Sequence, residues 1–217
     1  MSDTNIGYWE KVLKNPTPAY KELIDAEYAY LLEKIPVNSK VLDIGCGDGR
    51  NMRTALNMTN HVFGIDNDDV AIGDARQNFS DISSVNIQKA EAIKLPFEDK
   101  TFDVVIFFDI LQNLGSNKLQ ALMEAKRVLK DDGAIILCTY SEDGFEERSK
   151  MYNIIRVPIE SIEKTKFIFE KSIGAYLSEQ FSADEIKNLA DKSMLVANDL
   201  QKIGKLAYIC VLNKAGM

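Results

Sequence analysis

The first regular pattern along the chain is an amphipathic helix over residues 20–35. Its apolar side chains recur at every third or fourth position, and the stripe is apolar except at Glu27. Thr17 can cap this helix, because its hydroxyl can accept a hydrogen bond from a backbone N–H of the first turn. Pro18 suits the first turn, where its missing N–H would have no partner anyway. Pro36 ends the pattern, since proline cannot continue a helix.

From residue 40 to residue 140, short apolar runs alternate with stretches of helical periodicity. Apolar strands separated by helices are typical of βαβ units, in which the strands form a parallel sheet. The pattern predicts strands at residues 40–44, 61–65, 85–89, 102–108 and 134–139, and helices at residues 49–57, 68–78 and 117–129.

The C-terminal third of the chain has a different pattern. Residues 142–181 are mixed, with Pro158 and Gly174 interrupting any long helix. Ser182 and Glu185 have the spacing of a capping box and predict a helix to about residue 192. Two β-rich runs at 194–201 and 206–212 then form a hairpin. We therefore predict an α/β, doubly wound, mostly parallel seven-stranded sheet with a C-terminal antiparallel hairpin and helices on both faces.

Composition and charge narrow the class of protein. The 217 residues are 46% hydrophobic and 27% charged, which is ordinary for a globular domain. The net charge of −7 leaves no basic surplus for nucleic-acid phosphates or for an anionic membrane surface. No apolar run approaches the roughly 18 residues of a membrane span. We therefore expect neither a nucleic acid nor a membrane as partner.

The start of the chain and its cysteines indicate the compartment. The first residues lack the cationic start and apolar core of a secretory signal. The three cysteines, Cys46, Cys138 and Cys210, are odd in number and far apart, which fits neither a disulfide framework nor a zinc site. We expect reduced, buried thiols, a cytoplasmic protein and no bound metal.

A glycine-rich loop carries the strongest functional signal. Gly45, Gly47 and Gly49 follow a predicted strand at alternate positions and lead into a helix. Glycine is needed where the backbone turns tightly and where a ligand approaches the main chain closely. Asp66 ends the next strand, where a carboxylate can accept hydrogen bonds from both hydroxyls of a ribose. Together they predict an adenosine-containing ligand at the carboxyl ends of the strands.

The charges around the loop indicate which ligand this is. Arg50 occupies the position of the third glycine of the dinucleotide fingerprint. A pyrophosphate would lie beside Asp43 and Asp48, where like charges in a partly desolvated crevice are unfavourable. S-adenosylmethionine has no phosphate and carries a sulfonium and an ammonium, which these carboxylates would stabilise.

Four segments in this order resemble those of class I S-adenosylmethionine-dependent methyltransferases of the small-molecule type. The resemblance covers about residues 39–139. The segments are the first motif at 43–49, the acidic motif at 64–66, the adenine-side segment at 91–105 and the turn before the fifth strand at 128–133.

This resemblance implies a Rossmann-like fold, S-adenosylmethionine as cofactor, S-adenosylhomocysteine as product, and a set of site residues. The implied cofactor-binding residues are Gly45, Cys46, Gly47 and Gly49 of the loop facing the methionine part, Asp43 balancing its ammonium, Asp66 on the ribose with Asn67 beside the adenine, Glu91 and Ala92 at the adenine edge, and Phe108 and Asp109 beneath the sulfonium.

Two departures from the family pattern matter. Glu91 stands where relatives often have aspartate, and the longer side chain can still reach the adenine. After the fourth strand, many relatives carry a histidine where this chain has Gln112 and Asn113. Amides cannot accept a proton at neutral pH, so no catalytic base is predicted. This favours an acceptor that is a free amine or already an anion.

The acceptor pocket is expected in the parts of the chain least like the shared core. A single methyltransferase domain over 1–217 would comprise a helical lid (1–36), the cofactor-binding core (37–140), a variable substrate cap (141–181) and the closing helix and hairpin (182–217). Candidate contacts to a small-molecule acceptor are Tyr8, Trp9, Asp109 and Asn113.

Three alternatives remain at this point. An aminopropyltransferase can share the fold and use a decarboxylated form of the same cofactor. A nicotinamide-dependent oxidoreductase is disfavoured by Arg50 and by the acidic loop. A non-catalytic scaffold that binds the cofactor is favoured by the Gln112 and Asn113 replacement. The sequence leaves the acceptor, the methylated atom and the oligomeric state open.

Overall fold

A computed structural model describes the backbone of residues 8–170 and 177–216 and the side chains of residues 11–170 and 177–216. The helices are α1 (Tyr8–Lys14), α2 (Pro18–Lys34), α3 (Arg50–Ala55), α4 (Asp69–Asn78), α5 (Lys118–Val128), α6 (Phe145–Ile154) and α7 (Ala183–Lys192). The strands are β1 (Lys40–Ile44), β2 (His61–Asp66), β3 (Val85–Lys89), β4 (Phe102–Phe108), β5 (Leu129–Tyr140), β6 (Ile159–Glu163), β7 (Lys166–Phe169), β8 (Leu177–Ser178), β9 (Leu195–Ile203) and β10 (Ala207–Lys214).

The main sheet has seven strands in the order β3-β2-β1-β4-β5-β10-β9. The first five strands of this order are parallel, and β10 runs antiparallel to both β5 and β9. The strand order reverses between β1 and β4, so the carboxyl ends of these two strands border a crevice at the topological switch point. This arrangement confirms the predicted doubly wound sheet with its C-terminal hairpin.

Two apolar layers cover the sheet because its central strands are buried on both faces. Helices α2, α3, α4 and α6 contribute to one core cluster, and α5 and α7 contribute to the other. Helix α2 begins as predicted, with the Thr17 hydroxyl accepting a hydrogen bond from the Tyr20 N–H at 3.4 Å. Among the described residues, no helix combines the length and the apolar character needed to cross a membrane.

The segment 142–181, for which the sequence predicted no regular elements, contains a helix and a second small sheet. Helix α6 is followed by the antiparallel strands β6, β7 and β8. Phe167 and Phe169 of β7 pack with Tyr152 of α6 in a separate aromatic cluster. Short strands with a mixed polar pattern give little periodic signal, since only β7 buries most of its residues.

Strand β5 begins five residues earlier than predicted. Its pairing with β4 is regular from Ala134 onward, and an irregularity separates this part from the Phe102–Leu129 pair. At Gly133 a Cβ atom would lie 2.7 Å from the Asp103 carbonyl oxygen. The segment expected to be a turn is therefore a bulged extension of the strand, where only glycine fits the close approach to β4.

Replacing Ser182 with alanine is expected to lower the free energy of unfolding by about 1 kcal/mol. Ser182 caps α7: its hydroxyl accepts a hydrogen bond from the Glu185 N–H at 3.2 Å, and the Glu185 carboxylate accepts one from the Ser182 N–H at 2.7 Å. Urea unfolding measures the difference. Ser116→Ala, at an exposed serine without a capping bond, is the control and should change stability far less. Equal effects would show that the cap contributes nothing.

Candidate functional site

Three glycines shape the loop between β1 and α3, two of them for close packing and one for access to the backbone. Gly45 and Gly49 have φ of +73° and +95°, and a Cβ at either would lie 2.2 Å from a neighbouring side chain, Ile110 or Phe79. Gly47 has φ of +55°, but a Cβ there would meet no atom within 4 Å. Gly45 and Gly49 therefore allow close packing, whereas Gly47 borders open space where a ligand can approach the backbone.

The N–H groups of these loop residues are already used within the protein. A loop that binds phosphate presents free N–H donors to its ligand. In this loop the groups that remain available to a ligand are hydrogen-bond acceptors, which suit a cation. The hydrogen bonds are Gly45 and Cys46 to the Ile65 carbonyl at 2.8 and 2.9 Å, Gly47 to Asp66 Oδ2 at 3.0 Å and Gly49 to the Cys46 carbonyl at 2.9 Å.

Asp43 is the most unusual residue of the site. It lies near the end of β1, is 1% exposed, and neither of its carboxylate oxygens has a hydrogen-bond partner among the described residues. Burial raises the pKa of Asp43 well above its usual range, and Asp66 and Asp48 add to this, against the opposite effect of Arg50. A buried carboxylate without partners is costly, so this position favours a cationic ligand nearby.

The carboxyl ends of β2 and β3 bring three of the predicted residues together. Asp66 Oδ2 accepts the Gly47 N–H, and Asp66 Oδ1 accepts the Asp68 N–H at 3.0 Å. Asn67 Nδ2 donates to Glu91 Oε2 at 3.3 Å. Asn67 and Glu91 are exposed, and Asp66 is partly exposed. Asp68, and not Asp66, caps α4, so the Asp66 carboxylate remains directed at the glycine loop.

Asp109 follows β4 and is held in a buried charge cluster that the sequence analysis missed. Its carboxylate lies 3.7 Å from Arg50 Nη2, and the same nitrogen lies 2.8 Å from Glu27 Oε2. Glu27 is fully buried. Burial raises the pKa of Asp109 well above its usual range, and Glu27 raises it further, while Arg50 lowers it. No side-chain cap is formed on the helix that follows Asp109.

Glu27, Asp109 and Cys138 have ligand atoms within 4.8 Å of one another. This spacing would accommodate a metal ion. The guanidinium of Arg50 already supplies the positive charge between the two carboxylates. Burial raises the pKa of the Cys138 thiol well above its usual range, which disfavours the thiolate that a metal requires.

Gln112 and Asn113 differ in their surroundings. Gln112 is buried, its Oε1 accepts a hydrogen bond from the Thr139 hydroxyl at 3.0 Å, and its carbonyl accepts the Glu179 N–H at 2.9 Å. Asn113 is exposed, and its Nδ2 donates to the Asp109 carbonyl at 3.3 Å. Gln112 therefore joins β5 to the segment before α7 as a structural residue, whereas Asn113 remains accessible beside Asp109.

The remaining predicted residues lie around the same crevice. Phe108 ends β4 and is buried in the core, and Cys46 is buried with a pKa raised by desolvation. Ala92 is partly buried and packs on the second core cluster. Tyr8 and Trp9 belong to α1, but their side chains fall outside the described residues, so their predicted role in a lid stays a prediction.

Comparisons with known proteins decide the family. Residues 35–198 match the family model of a methyltransferase domain. The chain belongs to this family. The match confirms the predicted class, the Rossmann-like fold and the cofactor, S-adenosylmethionine. The match extends past the predicted core at 37–140 and ends at residue 198, within the hairpin strand β9.

Curated relatives of the methyltransferase domain match it over part of their length. An uncharacterized protein of Haemophilus influenzae is 31% identical over 171 residues, which cover 73% of this chain and 66% of that protein. The demethylmenaquinone methyltransferase of Tropheryma whipplei is 32% identical over 107 residues, covering 49% of this chain and 44% of that enzyme. The matches thus span less than two thirds of these relatives.

Two solved structures are similar over nearly the whole chain. The PH0226 protein of Pyrococcus horikoshii is 26% identical, with a TM-score of 0.70 and 92% of each chain covered. The 1,6-didemethyltoxoflavin-N1-methyltransferase of Burkholderia thailandensis, solved with 1,6-didemethyltoxoflavin and S-adenosylhomocysteine, is 15% identical, with a TM-score of 0.71 over 94% of this chain and 81% of that one.

The site residues of the methyltransferase domain fit the cofactor of its family. The unpartnered Asp43 carboxylate and the loop acceptors suit a ligand with an ammonium and a sulfonium. The open space at Gly47 provides the approach to the backbone. Both observations agree with the prediction, made from the acidic residues around the loop, that the ligand is a cation.

The sequence pattern marks two further residues of the chain as unusual without indicating their role. Glu27 interrupts the apolar stripe of α2, and Arg50 replaces a fingerprint glycine. A charged residue in an apolar stripe indicates a buried partner of opposite charge, because an unpaired buried charge is strongly unfavourable. That partner is Arg50, 2.8 Å away, which the sequence places 23 positions further on.

Proposed function

We propose that this chain transfers a methyl group from S-adenosylmethionine to a nucleophilic atom of a small-molecule acceptor. The observation that carries the proposal is the cation-accepting loop: an unpartnered buried Asp43 carboxylate beside glycines whose N–H groups are already bonded. Two relatives named for small-molecule methylation, a demethylmenaquinone and a didemethyltoxoflavin methyltransferase, support the acceptor class.

Each residue of the site has a distinct role in this proposal. S-adenosylmethionine supplies, when bound, a methyl carbon activated by the adjacent sulfonium. Asp43 and the loop carbonyls would hold the ammonium, Asp66 the ribose hydroxyls, and Asn67 with Glu91 the adenine edge. The chain thereby fixes the position of the reacting group, and proximity and orientation alone can lower the barrier by roughly 7–11 kcal/mol.

Asp109 is the group suited to handle a proton in this site. Burial raises the pKa of Asp109 toward neutral pH, and a general acid or base works best when its pKa lies near the working pH. It lies directly after β4, at the carboxyl edge of the sheet, and its neighbour in space, Asn113, is exposed. We propose that Asp109 accepts or holds the acceptor's proton when the acceptor must lose one, in place of the absent histidine.

Asp66→Ala is expected to weaken S-adenosylhomocysteine binding by about 1–3 kcal/mol, because two ribose hydroxyls would lose a charged acceptor. Calorimetric titration measures the affinity. Asp69→Ala, which removes an exposed carboxylate paired only with Lys89 at 2.6 Å, is the matched control and should leave the affinity unchanged. An unaltered affinity in Asp66→Ala would contradict the ribose assignment.

The same titration on the unmodified chain tests the proposal as a whole. We expect micromolar binding of S-adenosylmethionine and S-adenosylhomocysteine and no binding of NADH. Binding of NADH instead would favour a nicotinamide-dependent oxidoreductase. Binding of the sulfur ligands with no methyl transfer to any acceptor would favour a cofactor-binding scaffold. Turnover with decarboxylated S-adenosylmethionine would favour an aminopropyltransferase.

A further inference from the structure

Arg148 of α6 is a buried cation that the proposed cofactor site does not use. Its side chain is fully buried. It donates to the Glu179 carbonyl at 3.1 Å, to the Ser178 hydroxyl at 2.6 Å and to the Tyr152 hydroxyl. All three acceptors are neutral, and Nε has no acceptor among the described residues. The guanidinium therefore keeps two of its five N–H donors, Nε–H and one on Nη1, and no anion among the described residues is bonded to it.

Aromatic rings surround this cation on several sides. The guanidinium carbon lies 3.9 Å from the centroid of the Tyr140 ring, 4.9 Å from that of Phe167 and 5.2 Å from that of Tyr152. Such rings stabilise a desolvated cation in part. The rings offer no formal charge, so they do not balance the positive charge of the guanidinium, and an anion brought here would find both a counter-charge and apolar walls.

The position of Arg148 connects it to the proposed methyl-transfer site. Tyr140 ends β5, and Asp109 follows the neighbouring strand β4 at the same edge of the sheet. The charge of Arg148 lowers the pKa of Asp109, against the larger opposite effects of burial and of Glu27. The two groups are therefore within electrostatic reach. Helix α6 belongs to the segment 141–181, which the sequence predicted to shape the acceptor pocket.

We propose that Arg148, together with Tyr140 and Tyr152, forms an anion subsite that binds the carboxylate of an aromatic acceptor. The single positive charge of one guanidinium matches a monoanion, whereas a phosphate dianion would leave excess negative charge near Asp109. The rings provide the contact for a flat apolar body. This inference rests on the proposed function, because the anion is that of the methyl acceptor.

The competing explanation is that Arg148 only joins α6 to β8. Its bonds to Ser178 and Glu179 fit that role. A purely structural link between neutral groups has no need of a charge, however, and desolvating a guanidinium costs several kcal/mol. The two explanations differ in one measurable property, since only the anion subsite distinguishes a carboxylate from its neutral amide.

Calorimetric titration of the chain saturated with S-adenosylhomocysteine tests the subsite with benzoate and cinnamate, each compared with its amide. We expect at least one acid to bind about tenfold or more tightly than its amide, as for a hydrogen bond to a charged group. Arg148→Gln should abolish this preference, and Arg148→Lys, which keeps the charge, should retain part of it. Lys150→Gln, at an exposed lysine of the same helix, should leave it unchanged.

The outcomes separate this inference from the function on which it rests. Failure of the unmodified chain to bind S-adenosylhomocysteine would contradict the proposed function. Normal binding of S-adenosylhomocysteine with no preference for either acid over its amide would overturn the anion subsite. A preference that survives in Arg148→Gln would also overturn it. If Arg148→Gln fails to fold, as judged by lost S-adenosylhomocysteine binding, the unmodified chain and Arg148→Lys decide the question. In Arg148→Lys, a preference for the acid that is undiminished or entirely lost would likewise overturn the anion subsite.

Discussion

Replacing Arg50 with glutamine is expected to lower the free energy of unfolding by about 3–5 kcal/mol, the usual effect of removing one partner of a buried ion pair. Arg50 supplies the positive charge 2.8 Å from the fully buried Glu27 and 3.7 Å from Asp109. It also lowers the raised pKa of Asp43. Without the guanidinium, these buried carboxyl groups lose the positive charge that compensates them.

Because the destabilisation of Arg50→Gln comes from buried carboxyl groups, its size should depend on pH. Loss of Arg50 raises the pKa of Asp43 and of Asp109 further, so the variant binds more protons when folded than when unfolded. Its stability therefore falls more steeply than that of the unmodified chain as the pH rises above about 4. Urea unfolding at several pH values measures both effects.

Lys21→Gln is the control for a salt bridge at the surface. Lys21 pairs with Asp25 at 2.7 Å on the same helix as Glu27, and both side chains are about two-thirds exposed, at 66% and 64%. Such a pair contributes only about 0–1 kcal/mol. If Arg50→Gln destabilised the chain no more than Lys21→Gln does, the buried cluster would not be a major source of stability.

Asp43→Asn is expected to stabilise the ligand-free chain and to weaken cofactor binding at the same time. Burial raises the pKa of Asp43, so above about pH 4 the folded chain keeps a proton that the unfolded chain has released. Stability then falls as the pH rises, by at most about 1.4 kcal/mol per unit, until the pH passes the pKa of the folded state. Asparagine has no such proton, so its stability advantage over aspartate grows as the pH rises.

The loss of binding in Asp43→Asn has the same cause. Without the carboxylate, the loop no longer offers a negative charge to the ammonium, and S-adenosylhomocysteine should bind about tenfold or more weakly. Asp48→Asn is the matched control, since Asp48 is an exposed carboxylate of the same loop. It should leave stability nearly constant. Unfolding curves that coincide for Asp43→Asn and the unmodified chain at every pH would refute the buried, unpartnered state of Asp43.

The strands followed from local patterns because their cause is local. Strands β1, β3 and β4 have the predicted bounds, and β2 differs by one residue. A buried parallel strand must be apolar along its length, and the glycine loop must follow β1 directly. The small sheet of β6, β7 and β8 was not predicted, because its strands are short and β6 is largely exposed.

The residues of the candidate site also divide into those whose position the sequence predicts and those that only the fold brings together. Asp43, Asp66 and the loop glycines lie at or just after strand ends that the sequence pattern places, so their convergence at one edge of the sheet was predictable. Glu27 with Arg50, and Arg148 with Tyr140, join residues from different elements. Spacing along the chain does not predict these pairs, because the packing of the helices on the sheet decides which of these residues are buried and which of them meet.

By itself, the sequence determined the family, the sheet and the acidic character of the loop, since periodicity and the order of residues after each strand express them directly. Only the tertiary structure decided that the loop N–H groups are already bonded, that Asp43 has no hydrogen-bond partner in the described part of the chain, and that Arg148 is enclosed by aromatic rings. The physical reason is that hydrogen-bond satisfaction and desolvation depend on every group brought within a few ångströms, whereas apolar periodicity depends on neighbours along the chain.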